Sequence, residues 1–330
     1  HVGCGAAFEA CAPAIAAQIR ESIGLSRSKA RIPCPEALQC VGVLAAALGP
    51  VWRPHAAGLL DAMMGAGLSE ALVQALTAVA ASAPELLGDI RLALLDTLSL
   101  ALAKRPFSQF THPARVAALN AALTTGELQG GALTRLALTT LGTFDWGQVP
   151  LLEFMRDHVL VYADDADKEI RQAAVLATAK VVERYAVAVR GRDGGALQTT
   201  PSGSQTSGAG GQLLSVRAAK VVEKVVGRLL VSAVADPSER VRLAVLSTLH
   251  GTAALDDFLA QADFLRALFV GLNDASCAVR ALALQLVGRL ATRNPAAVNP
   301  ALRRHLLQLL TDMEHSPDSR LREEAAYLLE

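Results

Sequence analysis

Apolar residues return along most of this chain at helical spacing. Val279, Leu282, Ala283, Leu286, Val287 and Leu290 fall at i, i+3, i+4, i+7, i+8 and i+11. Ile170, Ala173, Ala174, Ala177 and Val181 follow a similar stripe. Such a stripe lines one face of a 3.6-residue helix and buries it against a neighbour. The pattern predicts helices over 6–23, 35–48, 54–66, 69–81, 85–103, 132–143 and 150–163. It continues with a helix ending near 189, then 213–235, 237–250, 262–272, 275–293, 300–313 and 317–330. No stretch alternates with the period of two that a sheet needs.

The polar positions repeat as well, on a longer period. Asp236-Pro237-Ser238-Glu239-Arg240-Val241-Arg242 leads into one helix and Asp274-Ala275-Ser276-Cys277-Ala278-Val279-Arg280 into another. Ser316-Pro317-Asp318-Ser319-Arg320-Leu321-Arg322 leads into a third, and Asp165-Ala166-Asp167-Lys168-Glu169-Ile170-Arg171 is an earlier copy. Arg242, Arg280 and Arg322 stand 38 and 42 residues apart. Two helices per period of about 40 residues imply an all-α fold, an α-solenoid of HEAT (armadillo-like) hairpins with about seven repeats.

The motif has a local chemistry. Asp236 is expected to cap its helix through a backbone N–H. Pro237 would occupy the first helical position, and Glu239 would complete a capping box. Ser316-Pro317 would repeat the device. The recurring arginine adjoins a buried branched residue. We expect it to pair with an aspartate at a turn, within or between repeats, because a ligand site would not need one arginine per repeat. Asp165, Arg171, Asp236, Arg242, Asp274, Arg280 and Arg322 are therefore read as structural repeat positions.

Proline groups at Gly49-Pro50 with Pro54, at Ala83-Pro84, and at Asn294-Pro295 with Pro300 are expected to mark turns between repeats. Two segments break the pattern. Residues 104–131 contain Pro106, Pro113, Gly126 and Gly130-Gly131, with room for a short helix over 113–123, and read as an insertion within a repeat. Residues 191–212 are rich in Gly and Ser and have too little apolar surface to order themselves, so they read as a disordered insertion. The organisation is then repeats over 1–103, 132–190 and 213–330, separated by these two segments.

Composition narrows the function classes. Hydrophobic residues make up 52% of the chain and aromatics only 4%, which suits close-packed Ala- and Leu-rich helices. The formal net charge is zero, so bulk electrostatics suggest neither nucleic acid nor an anionic membrane as partner. No apolar run reaches the roughly 20 residues of a membrane span. The five cysteines are odd in number and lack CxxC spacing, as free thiols in a reducing compartment would be. The chain begins at His1 and stops at Glu330 within a helical pattern, and we expect a fragment of a longer protein.

Motifs that would carry chemistry are missing. Gly203 and Gly208 have phosphate-loop spacing, but Ala209-Gly210 stands where Lys-Ser/Thr is required. Asp257-Phe258 continues with Leu259, so it is not the metal-binding kinase tripeptide. The histidines are scattered, none in HExxH, and no Gly-x-Ser-x-Gly turn occurs. No catalytic, cofactor-binding or metal-binding residue is expected. Thr200-Pro201 has the form of a proline-directed phosphorylation site, with Thr200 the candidate acceptor.

One stretch goes beyond periodicity. Leu255-Asp256-Asp257-Phe258-Leu259-Ala260-Gln261-Ala262-Asp263, Leu268-Phe269-Val270-Gly271-Leu272-Asn273-Asp274 and Val287-Gly288-Arg289-Leu290 resemble the HEAT-repeat region of target of rapamycin (TOR) serine/threonine kinases. So do Leu151-Leu152-Glu153-Phe154 and Val161-Tyr162-Ala163-Asp164-Asp165-Ala166-Asp167-Lys168, in the manner of plant and algal members. The resemblance implies a non-catalytic scaffold in nutrient and growth signalling. It implies a raptor-type partner, self-association of the parent kinase and a cytoplasmic location, peripheral on endomembranes through partners. ATP and Mg²⁺ would belong to a kinase domain outside this chain. A free-standing HEAT adaptor, such as a phosphatase scaffold or a transport receptor, is the competing reading.

Overall fold

The computed structural model describes residues 2–25, 35–193 and 209–329. The chain forms two compact units, His1–Gln148 and Val149–Glu330. Among the described residues every regular element is helical. The fold is an all-α solenoid built of HEAT-type hairpins.

The first unit contains α1 (Val2–Leu25), α2 (Pro35–Leu48), α3 (Arg53–Gly65), α4 (Glu70–Ser82), α5 (Leu87–Ala103), α6 (Pro113–Thr125) and α7 (Gly130–Thr143). Helix α1 packs on α3, α2 on α4, and α5 on α7. Alternate helices thus stack in two layers, as hairpins in register must. The α2–α4 seam is close because its residues are small. A Cβ on Gly42 would meet the Ala75 Cα at 3.3 Å. Helix α4 begins at a Ser69 cap, whose hydroxyl accepts the Leu72 N–H at 3.2 Å. Helix α6 lies within the 104–131 segment, buries Leu119, Ala122 and Leu123, and packs on α3 and α5.

The second unit opens with α8 (Leu152–Phe154), a π-helical turn (Met155–Val159) and a 3-10 stretch (Leu160–Asp164). A continuous α-helix was expected there. Buried Met155 and Val159 are four apart, a spacing that drifts around an α-helix. One wider turn brings the stripe back into line. Next come α9 (Lys168–Asp193), α10 (Ala209–Ala235), α11 (Glu239–Gly251), α12 (Asp256–Leu259) and α13 (Ala262–Gly271). The unit closes with α14 (Cys277–Leu290), α15 (Pro295–His315) and α16 (Ser319–Leu329). Helices α9, α11, α14 and α16 stack in sequence as one layer, and α10, α13 and α15 as the other.

Several boundaries differ from expectation. Pro300 lies inside α15, not at a turn; the helix starts at Pro295, where the Asn294 side chain takes the Ala297 N–H at 3.2 Å. Helix α9 runs to Asp193 and α10 starts at Ala209. Residues 194–208, with Thr200, lie outside the described residues.

Candidate functional site

The layer α9–α11–α14–α16 carries the periodic arginines, each in the first turn or so of its helix. Every one donates Nη1 to the carbonyl six residues earlier: Arg171 to Asp165 at 3.0 Å, Arg242 to Asp236 at 2.8 Å, Arg280 to Asp274 at 2.8 Å and Arg322 to Ser316 at 2.7 Å. The guanidinium therefore ties down the turn that leads into its own helix. Its other edge reaches the next repeat. Arg171 donates Nε and Nη2 to the two Asp236 carboxylate oxygens at 2.8 and 3.1 Å. Arg242 does the same to Asp274 at 2.7 and 2.8 Å. The fork geometry of arginine makes both pairs bidentate.

The third rung changes partner. The position equivalent to Asp236 and Asp274 is Ser316, and Arg280 pairs with Glu324 on α16 instead. Glu324 also receives Arg320 at 3.0 Å. The Arg320 hydrogen bond, joined by the hydrogen bond and charge of Arg280, holds its carboxyl below the usual range against the opposing effect of burial. Arg322 is the fourth arginine of the series.

These aspartates do not cap helices as the sequence suggested. Helix α11 starts at Glu239, with Ser238 in the cap position. Asp236 Oδ1 accepts the Ser238 N–H at 2.7 Å, and Asp274 Oδ1 accepts the Ser276 N–H at 2.8 Å. Each carboxylate so fixes its own turn and holds the preceding repeat. The capping box is also absent: Glu239 accepts the Ser276 hydroxyl of the following repeat at 2.6 Å. At α16 the Ser316 hydroxyl accepts the Asp318 N–H at 3.3 Å in the same way, and Asp318 accepts the Arg320 N–H at 2.9 Å. An Asx turn and a helix cap use the same side chain on the same kind of donor, so sequence alone does not separate them.

The rungs are buried. Asp236 and Asp274 side chains are 4% and 7% exposed, their arginines 11% and 13%. Burial alone would raise the Asp274 carboxyl. The Arg242 fork, the Ser276 N–H and the charges of Arg242 and Arg280 outweigh it and bring the carboxyl below its ordinary range. The hydrogen bond to Asp236 raises Arg171, and that to Asp274 raises Arg242. Both stay charged.

A second tie was not anticipated. Arg289 of α14 donates to the Leu249 carbonyl at 3.0 Å and to the His250 carbonyl, and pairs with buried Asp256 at 2.8 Å. A cation on the last carbonyls of α11 meets the negative end of that helix. The signal was the resemblance run itself, which holds both Asp256 and Arg289. Beside the first rung, Arg228 pairs with Asp164. A shallow cavity of about 260 Å³ opens there, lined by Asp164, Arg171, Arg228, Val231, Ser232 and Asp236.

Among the described residues no group of three His, Cys, Asp or Glu could hold a metal ion, and no helix is long and apolar enough to cross a membrane. What the ladder does is mechanical: it sets the step between successive hairpins.

No protein-family model matches the chain. Curated relatives do. It is 38% identical over 320 residues to a serine/threonine-protein kinase TOR of Arabidopsis thaliana and 40% identical over 321 residues to one of Oryza sativa subsp. japonica. Each alignment covers 96% of this chain. A serine/threonine-protein kinase tor1 of Schizosaccharomyces pombe is 34% identical over 88% of it. The chain spans about 12% of the length of these relatives. Along almost its entire length, this stack of HEAT-type hairpins resembles a segment of the TOR serine/threonine kinases.

Proposed function

We propose that this chain is a non-catalytic scaffold segment of a TOR-type serine/threonine kinase that acts in nutrient and growth signalling. The observation that carries the reading is the similarity across 96% of the chain to one segment of TOR kinases. The buried ladder supports it, since bidentate rungs hold a fixed hairpin step and a fixed surface for other proteins. On this reading ATP and Mg²⁺ are bound by a kinase domain elsewhere in the parent protein. The segment engages a raptor-type partner and contributes to self-association of the parent kinase, in the cytoplasm or on endomembranes through its partners. Thr200 would be a regulatory phosphorylation site.

The test is a segment exchange. This chain replaces the aligned stretch of the Arabidopsis kinase, and the chimera is compared with a version lacking the stretch. The expected result is growth signalling and raptor-type co-purification with the chimera, and loss of both with the deletion. A deletion that keeps both, or a chimera that restores neither, rejects the reading.

A further inference from the structure

The loop 104–112, between α5 and α6, is braced more heavily than a connection requires. Lys104 ends α5 in the left-handed region at φ 57°, where a residue with a Cβ is uncommon. Its Nζ donates to the Ala101 carbonyl at 3.1 Å, and the Ser99 hydroxyl donates to the Arg105 carbonyl at 2.7 Å. Beneath the loop lies Asp96, 4% exposed. Its two oxygens accept the Ser108 N–H at 3.0 Å and the Thr111 hydroxyl at 2.7 Å. The Ser108 hydroxyl then accepts the Phe110 N–H at 3.2 Å. At the far end His112 Nδ1 accepts the Ala114 N–H at 3.2 Å and starts α6.

On top of this bracing stands Phe110, 97% exposed. A connection of this length has no need of an aromatic ring at its crest. The bracing accounts for the shape of the loop but not for the ring. Charge supplies the second observation. From Thr97 to Gly126 the chain carries Lys104, Arg105 and Arg115, all exposed, and no Asp or Glu.

We propose that this loop is a docking epitope for a protein partner with an apolar pocket edged by carboxylates. Phe110 fills the pocket and exposed Arg115 meets its acidic rim. An aromatic anchor ringed by polar contacts is the usual composition of an interface centre. Holding the anchor in one orientation beforehand lowers the ordering cost of binding. The same fixed orientation favours a protein pocket over a bilayer, which accepts a ring at many angles and needs more than one. The proposal rests on the scaffold reading and names one face of it.

The whole chain is presented to a displayed library of random peptides, and binders that also hold Phe110→Ala are removed. The expected winners combine acidic residues with an apolar cluster. A synthetic winner should bind at least about tenfold more weakly to Phe110→Ala and to Arg115→Glu. Unchanged circular dichroism would show that both variants fold. The proposal is overturned if no peptide is enriched, if the winners lack acidic residues, or if Arg115→Glu binds as well as the parent. It is equally overturned if Phe110→Ala abolishes sedimentation with phosphatidylcholine–phosphatidylserine vesicles, or a concentration-dependent dimer, while the peptides show no preference. Any of these leaves the segment exchange, done with Phe110 in place, as a separate test of the scaffold.

Discussion

The two units hold their hairpins together by different means. In the first, α2 and α4 meet through Gly42, Ala75 and Ala78, and each ion pair has at least one well-exposed partner, as Asp145 is opposite the half-buried Arg91. Arg53 and Glu85 are 49% and 66% exposed where they pair. In the second, guanidinium forks bridge one repeat to the next from positions that are nearly dry. Small-residue packing is tight and tolerates little added volume, but it fixes no direction along the seam. A bidentate rung fixes both distance and orientation. The second unit should therefore fail sharply when a rung is cut on one side, and the first should fail by crowding.

The sharpest way to break the comparison is Arg242→Ala. It strands the Asp274 carboxylate in a buried site, with only the Ser276 N–H on its Oδ1, and frees the Asp236 carbonyl. Removing one partner of a buried pair costs about 3–5 kcal/mol. In a repeat protein that loss stays near its site. Hydrogen exchange should show protection falling in α11 and α14 and unchanged in α2 and α4. Equal loss in both units would mean that the rung does not act locally. Arg242→Met with Asp274→Leu sharpens the point. With both charges gone the penalty for a stranded ion disappears, and urea unfolding should return most of the lost stability.

Crowding comes next. Gly42→Val places a branched side chain where even a Cβ lies 3.3 Å from the Ala75 backbone. Over-packing of this kind costs about 1–3 kcal/mol. Urea unfolding followed by a probe in the first unit should report it. Adding Ala75→Gly should recover part of the loss, because it opens the same seam.

The difference between the units also explains what the sequence made legible. The second unit was readable in detail because charge marks its period: Arg171, Arg242, Arg280 and Arg322 recur in register, and an arginine beside a buried valine or isoleucine stands out. Gly42 in an alanine-rich helix does not, since nothing in one sequence says which small residue faces a neighbour. Helix existence was legible almost throughout, because the 3.6-residue stripe is long and regular. The helix starts were less so. Asp236 and Asp274 sit two residues before the cap position and bind an N–H and an arginine across the stack, a distinction that depends on tertiary neighbours. Glu324 replacing the missing aspartate at Ser316 was likewise hidden, because the substitute comes from within the following helix. The π turn at Met155–Val159 has only a slight signal, two apolar residues four apart at its ends.

Acid should separate the units further. His305 on α15 has its pKa lowered by burial and then by the nearby Arg280, with Asp312 opposing. A histidine that stays neutral in the fold binds fewer protons than it would unfolded. Its contribution is complete above the unfolded value near 6.5 and is lost as pH falls through the lower folded value. Asp274 adds a second loss at lower pH, beginning near 3.8, because its folded pKa is depressed. Protection in α14 and α15 should decline before that of α2 and α4 as pH falls from 7 to 5. His305→Leu should flatten the first part of that decline and leave the Asp274 part in place.

The smallest effect is the control that gives the comparison its meaning. Arg53 and Glu85 join α3 to the start of the following hairpin through one bond at 3.0 Å, an Arg–carboxylate pair like a rung but without its second bond. Exposure, together with the missing second bond, sets them apart. Water solvates both ends when the pair opens, and salt screens what attraction remains. Arg53→Ala should therefore cost about 0–1 kcal/mol, against several for Arg242→Ala. Raising salt to about 1 M, where the Debye length is roughly 3 Å, should erase the Arg53 effect and leave most of the Arg242 effect. The measurement is urea unfolding of both variants at low and high salt. If Arg53→Ala proves as costly as Arg242→Ala, burial is not what distinguishes the two kinds of seam. The Arg–carboxylate attraction, present in both units, would then carry the stability.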